Sequence, residues 1–483
     1  MTALLPARQT VLGWGMAVGG PADVVRPTDA QSLPALFEAA RTARRPLTLR
    51  GAGCSYGDAA CGDVVCDLSA LDRILHFDPQ TGVVRAQAGA TLRQVWQTAV
   101  PHGWWPPVVS GTMAPTLGGA AAMNIHGKNA ARVGPIGDHL RAIKVVFPSG
   151  GVQELTPADP LFFAVVSGAG TLGVITEVEL QLKRVHAGRL DVWATTAADL
   201  DGLFAFFDAH AATADYLVAW LDAFATGKAM GRSLIHAAYH VPAGDEPDTA
   251  TALQVTNQQL PSRLFGVVPK SWMWRFLKPF SNSWGMRLVN LGRWYSGLLL
   301  SRDKRYRQTH GAFHFLLDYV PDWKKVYSPG GLIQHQVFVP ADRARQVFQT
   351  VLELQQGRGL VNWLSVVKRH RADRFLLSHG LDGYSLAQDF AVTAENRVAL
   401  WQLCHDIDDI VAAAGGRVYF AKDATVRPET VLAMFGSERL RQWAAWQQQC
   451  DPDGVLQSAQ WRRAVGPAVA MAQANGPTLD TPQ

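Results

Sequence analysis

The chain has 483 residues, which is more than one ordinary core holds and suggests two large lobes. It is 48% hydrophobic and only 18% charged, with a net charge of +5 from 45 Lys and Arg against 40 Asp and Glu. So small a basic excess, without a basic stripe or zinc-ligand spacing, argues against a nucleic-acid partner. The low charged fraction points to much buried or membrane-facing surface.

Cys54, Cys61, Cys66, Cys404 and Cys450 are odd in number and fit no zinc spacing, so neither a metal nor a disulfide framework is expected and a reducing compartment is. The N-terminus is broken by Gly and Pro and does not read as a signal peptide. No window reaches the ~18 apolar residues needed to span a bilayer. The expected location is cytoplasmic, or peripheral on the inner face of the membrane.

Along the chain, 46–51 and 64–69 read as strands, and 74–89 as a hairpin turning at Pro79–Gly82. A helix follows, with Thr91 as N-cap and Gly103 as its stop. Residues 140–157 read as a second hairpin and 173–185 as a strand, which makes residues 1–188 an α+β lobe. A substrate or cap lobe is expected over 189–412. There the strand runs GLIQHQVFVP, VNWLSVVKRH and GYSLAQDFAV alternate with two helices closed by Gly. The segment 413–465 is expected to return to the first lobe, and 466–483 to be a disordered tail.

Three glycine-rich segments carry the chemistry. Arg50-Gly-Ala-Gly-Cys-Ser-Tyr-Gly-Asp58 follows a predicted strand and reads either as a backbone anion nest or as a tight structural turn. Gly111-Thr-Met-Ala-Pro-Thr-Leu-Gly-Gly119 lets a flat ligand approach the backbone, with His126 and Lys128 just beyond. Gly168-Ala-Gly-Thr-Leu-Gly173 matches G-x-G-x-x-G, but VITEVEL follows it. A strand there excludes the Rossmann reading, in which the motif must open a helix.

In this order and spacing, RGAGCSYGD, GTMAPTLGGAAAMNIHGKN and SGAGTLGVITEVEL resemble the FAD-binding lobe of the vanillyl-alcohol-oxidase superfamily. Within it they resemble the branch that oxidises decaprenylphosphoryl-ribose. The likeness runs from Leu12-Gly-Trp-Gly15 to Trp461-Arg-Arg, and is poor over about 225–310. It implies a two-lobed, PCMH-type α+β fold, whose cap lobe is an antiparallel sheet flanked by helices.

For FAD the resemblance implies Arg50, Gly51, Gly53, Cys54, Ser55, Tyr56, Gly57, Gly111, Thr112, Thr116, Gly118, Gly119, Met123, Asn124, His126, Gly173, Val174, Ile175 and Tyr419. Lys422 and His126 become the catalytic candidates. Lys422 would sit by the flavin and the substrate carbinol. A fixed cation there stabilises the charge of a flavin accepting a hydride; otherwise it is a salt bridge to Asp423. Gln334, Gln336 and Lys368 would face a sugar-like substrate; the two glutamines could also be satisfied strand residues sharing one face. Ala387, Ser385 and His314 stand where that branch has Cys, Asn and Tyr, so the wall of the site differs. Members that bind flavin covalently carry His at the slot of Cys54; its absence implies non-covalent FAD.

From Pro261 to Arg307 there are ten Lys or Arg and one acid, Asp303, among Trp272, Trp274, Trp284, Trp294 and Tyr295. This stretch reads either as a membrane-surface element or as an insertion packed on the cap lobe. The expected function is an FAD oxidoreductase acting on a secondary alcohol of a sugar-like or polyprenyl-phosphate-linked substrate. Its electrons would pass to oxygen, a quinone or a partner reductase. The alternatives are an NADPH-dependent ene reductase similar to the sterol Δ24-reductases, and a scaffold that has lost the chemistry.

Overall fold

In the computed structural model, which describes residues 7–264 and 268–474, short β-branched runs of the first lobe build two sheets. Strands Gly19–Val25, Val64–Asp67 and Leu47–Arg50 pair in parallel, with Ala7–Leu12 antiparallel at the edge. The second sheet is antiparallel, in the order Ile74–Asp78, Val83–Gln87, Val174–Gln181, Leu140–Val146, Val152–Leu155. Thr91 caps helix Leu92–Ala99 with a full capping box, in which Gln94 answers back to the Thr91 N–H.

The cap lobe is one eight-stranded antiparallel sheet. Its order is Lys304–Thr309, Arg189–Ala197, Ser233–His240, Tyr216–Leu221, Leu364–His370, Gly383–Ala391, Leu332–Pro340, Arg417–Val418. The predicted helices are Ala341–Gly357 and Arg397–Ala413. Gly359 and Gly415 follow them with φ of 69° and 74°, a left-handed turn that costs glycine least.

The short strand Arg417–Val418 pairs with Phe338 and Val337 and turns the chain at once into Tyr419–Asp423. Residues 466–474, expected to be disordered, instead form helix Gly466–Ala474. Its small apolar side chains Ala468, Val469 and Ala472 are buried against helices Pro428–Phe435 and Ser437–Cys450. The rest of the expected tail, 475–483, lies outside the described residues.

The basic aromatic segment holds helix Ser283–Leu300. Trp294 is buried and Trp274 packs inward beside Tyr327 and Trp323, whereas Trp272, Trp284 and Tyr295 are exposed. One face of this element thus packs on the protein and the other is exposed. No helix of the described residues is long and apolar enough to cross a membrane.

Candidate active site

A cavity of about 440 Å³ is lined by all three glycine-rich segments and by the cap sheet. The first segment leaves the backbone N–H groups of Ala52, Gly53, Cys54 and Ser55 without a partner among the described residues. Arg50 braces this loop, donating to the carbonyls of Ala60 and Leu12 at 3.2 and 3.1 Å. Free donors held by a braced loop make an anion nest, not merely a turn. The second segment is held by the stretch after Phe315. Asp318 accepts from Thr112 Oγ1 at 2.7 Å and from the Met113 N–H at 2.8 Å, and the Leu317 N–H donates to Gly111.

Sheet register assembles the opposite wall. Gln334, Gln336 and Phe338 alternate onto one face, and directly across from them stand Asp389, Ala387 and Ser385. Leu364, Val366 and Lys368 form the next row, then Trp220 and Val218, then His236. A period of two therefore puts residues from five strands into one wall. Gln334 Nε2 donates to Asp389 at 2.5 Å, so this glutamine is tied to a buried carboxylate rather than to a neutral strand partner. Gln336 donates from Nε2 to His126 Nε2 at 3.1 Å. Burial, with Lys368 and neighbouring His370 and His379, keeps the His126 pKa well below its ordinary value, so the ring is neutral.

Lys422 lies past a tight turn, its N–H donating to the Tyr419 carbonyl, and its Nζ sits 3.9 Å from the centre of the Tyr56 ring. It makes no salt bridge to Asp423. That carboxylate is committed elsewhere: it accepts from the Thr425 and Val426 N–H groups at 2.8 Å each, from Gln460 at 2.9 Å and from Arg463 at 2.7 Å. Lys128, Lys368 and Lys422 each show part of their surface to the cavity while protein surrounds them. Lost hydration pushes their pKa values down, to about 7 for Lys128, about 8 for Lys368 and about 7 for Lys422, where Asp389 opposes the shift. Burial in turn raises Asp389 to about 6, against the pull of Gln334 and Lys422. None of the three lysines has a carboxylate within salt-bridge distance among the described residues. A cavity so lined is suited to anions.

Of the residues expected to touch FAD or substrate, Arg50, Gly51, Gly53, Cys54, Ser55, Tyr56, Gly111, Thr112, Thr116, Gly118, Gly119, Met123, His126, Gly173, Ile175 and Tyr419 line the cavity, as do Lys422, Gln334, Gln336, Lys368, Ala387 and His314. Four do not. Gly57 is glycine because a Cβ there would fall 1.6 Å from the Asp423 carbonyl oxygen. Asn124 is wholly buried in a left-handed turn, its Oδ1 accepting from the Gly137 N–H at 2.9 Å. Val174 points away from the cavity into the apolar core between the two sheets of the first lobe. Ser385 is sealed off, bonded at 2.7 Å to His370 Nε2.

Several cavity residues have no motif around them in the sequence: Trp220, His236 and Arg293. The alternation in YLVAWL and SLIHAA was the one available signal for Trp220 and His236.

Comparison with known proteins agrees with this geometry. The model of the FAD binding domain family matches residues 21–156. Decaprenylphosphoryl-β-D-ribose oxidase of Mycolicibacterium smegmatis is 30% identical over 94% of this chain and 96% of its own length. The chain belongs to that family, within the PCMH-type FAD-binding superfamily. L-gulono-1,4-lactone dehydrogenase of Mycobacterium tuberculosis is 31% identical over 41% of this chain and 46% of its own. D-lactate dehydrogenase of Anaerostipes hadrus is 29% identical over 35% and 38%. This family member is an FAD-dependent oxidoreductase acting on alcohol groups. The donor set fits FAD: the unpartnered N–H groups at 52–55 would suit the pyrophosphate, and Lys422 at the cavity wall would suit the flavin.

Proposed function

We propose that the enzyme oxidises a secondary alcohol of a sugar-like substrate and takes that sugar in polyprenyl-phosphate-linked form. The observation that carries this is the pairing, in one cavity, of hydroxyl-binding groups with cations that have no carboxylate partner. Gln334, Gln336 and neutral His126 suit sugar hydroxyls; Lys368 and Lys128 suit a phosphate. FAD, when bound, supplies the hydride acceptor. His126 takes the hydroxyl proton at Nε2 once the substrate hydroxyl displaces the Gln336 amide from which that nitrogen accepts. Lys422 stabilises the negative charge that hydride transfer creates. Ala387, where the resemblance implies a cysteine, lines the cavity with a smaller side chain. Anaerobic mixing of the yellow protein with polyprenyl-phosphate ribose should bleach the flavin, and NADPH should not. Bleaching by NADPH alone would move the assignment to the ene reductases.

The same reading places the enzyme at a membrane surface. On helix Ser283–Leu300, Trp284, Leu288, Leu291, Tyr295 and Leu299 are all exposed, with Trp284 and Leu299 at 77%. Their spacing of three and four residues makes one apolar stripe, with Arg275, Lys278, Arg287 and Arg302 near it in the sequence. A basic helix with an apolar face of this kind lies in the headgroup zone of anionic bilayers. Replacing Trp284, Leu288 and Leu299 by Ser should lower sedimentation with phosphatidylglycerol vesicles at least several-fold at unchanged flavin content. Unchanged sedimentation at low salt would reject the surface.

A further inference from the structure

Helix Ser283–Leu300 has a second face that also carries function. At about 100° per residue, the stripe from Trp284 to Leu299 occupies an arc of roughly 80°, and Arg293 projects about 160° from its middle. Arg293 lines the active-site cavity, the one residue of this helix that does so. Its guanidinium lies 4.8 Å from the centre of the Trp220 ring, which the cap sheet buries. Among the described residues it makes neither an ion pair nor a hydrogen bond to any other group. The carboxylate two positions past Trp220, Asp222, is taken by Arg232 through two bonds of 2.9 and 2.6 Å. His236, across the register from Val218, is held neutral at about 4 by burial and by the positive charges of Lys128 and Arg293. Both cations therefore act on one spot of the wall.

An arginine stacked on an aromatic ring has its fork held in place, with all its donors still to be used. We propose that Arg293 binds the anionic phosphate of an amphiphilic, isoprenoid-type substrate where it lines the cavity beside Trp220, while the opposite face of its helix sits in lipid. One helix thus both touches the bilayer and grips the phosphate of a molecule drawn from it. This rests on the lipid-linked reading above and adds to it a specificity-determining residue, in the stretch least similar to the family.

The test is calorimetric titration of the FAD-loaded enzyme, without vesicles, using farnesyl phosphate below its micellar concentration, farnesol and inorganic phosphate. Farnesyl phosphate carries no sugar to oxidise, so the result is independent of whether the proposed reaction is right. Wild-type protein should bind farnesyl phosphate at least about tenfold more tightly than either other probe. Arg293→Met, which keeps a stem over Trp220, and Arg293→Ala should both lose that advantage while binding farnesol as before. Flavin absorbance of each variant shows that the fold is kept. Wild-type affinity for farnesyl phosphate in Arg293→Met would overturn the proposal. So would equal wild-type binding of farnesol, which would mean that only the chain is read, or of inorganic phosphate, which would mean that a free anion is.

Discussion

Lys422→Ala is expected to keep most of its FAD and to lose about 10²–10³-fold in the rate of flavin reduction, the usual cost of removing one preorganised donor at developing charge. Cofactor retention follows from the site: the unpartnered N–H groups at 52–55 and the Gly111–Gly119 loop are built without this lysine. The rate loss follows from its freedom. Asp423 is fully engaged by Arg463, Gln460 and two backbone groups, so the Lys422 charge has no carboxylate partner of its own. Lys422→Arg should recover little, because a planar fork does not fit the point over Tyr56 that an ammonium occupies. Only the protonated amine does this work. The reductive rate should therefore fall as pH rises through the lysine's pKa, which burial has brought to about 7. Stopped-flow reduction across pH, with flavin occupancy read by absorbance, checks both parts. A near wild-type rate in the alanine variant would show that the lysine stands elsewhere in the reaction.

The glycine-rich loops were legible because glycine in runs has few other uses, and all three do reach the cavity. Reading inward from a motif was less reliable for its individual members. Gly57 and Asn124 sit within the motifs yet serve the protein's own packing, one against the Asp423 carbonyl and the other against the Gly137 N–H. Backbone periodicity foretold that Gln334 and Gln336 share a face, but not that Asp389 stands opposite one of them or that His126 meets the other. Those meetings depend on strand register and on contact between the lobes. His370 and His379 close around His126 from different segments, with ring centres 4.9 and 5.2 Å from it, and no local spacing announces that. Arg293 was visible only as one of ten basic residues; the helix had to be built before its side could be told from the stripe.

Asp423→Ala should be the most damaging substitution for stability. The carboxylate is buried, and burial alone would raise its pKa, but Arg463 and the Thr425 and Val426 N–H groups hold it below the usual carboxylate range. Removing it leaves two backbone donors without a partner and takes from Arg463 one of its two carboxylates, the other being Asp58 at 2.9 Å. Breaking a buried pair in this way costs about 3–5 kcal/mol, to be read as a lower urea midpoint at unchanged m. Because the folded pKa is depressed, this stabilisation is complete above the unfolded carboxylate pKa. It disappears as pH falls through the lower folded value. The turn from Tyr419 to Asp423 also carries Lys422, so the variant should lose flavin reduction as well. Asp423→Asn, which can still accept from the backbone, should be milder. An alanine variant with wild-type midpoint would mean that Arg463 finds full compensation at Asp58.

Three amines with pKa values of about 7, 7 and 8 around a single chamber make ligand capture a protonic event. None is as fully charged near neutrality as an ordinary lysine, Lys368 least affected, and any polyanion entering the chamber favours the charged form. Complex formation should therefore draw hydrogen ions out of the buffer, and the heat of association should change with the buffer's own ionisation enthalpy. By linkage, affinity then tightens as the medium becomes more acidic through this range and slackens above it. An alkaline drift of the medium would loosen this enzyme's hold on its anionic ligands without altering a single contact.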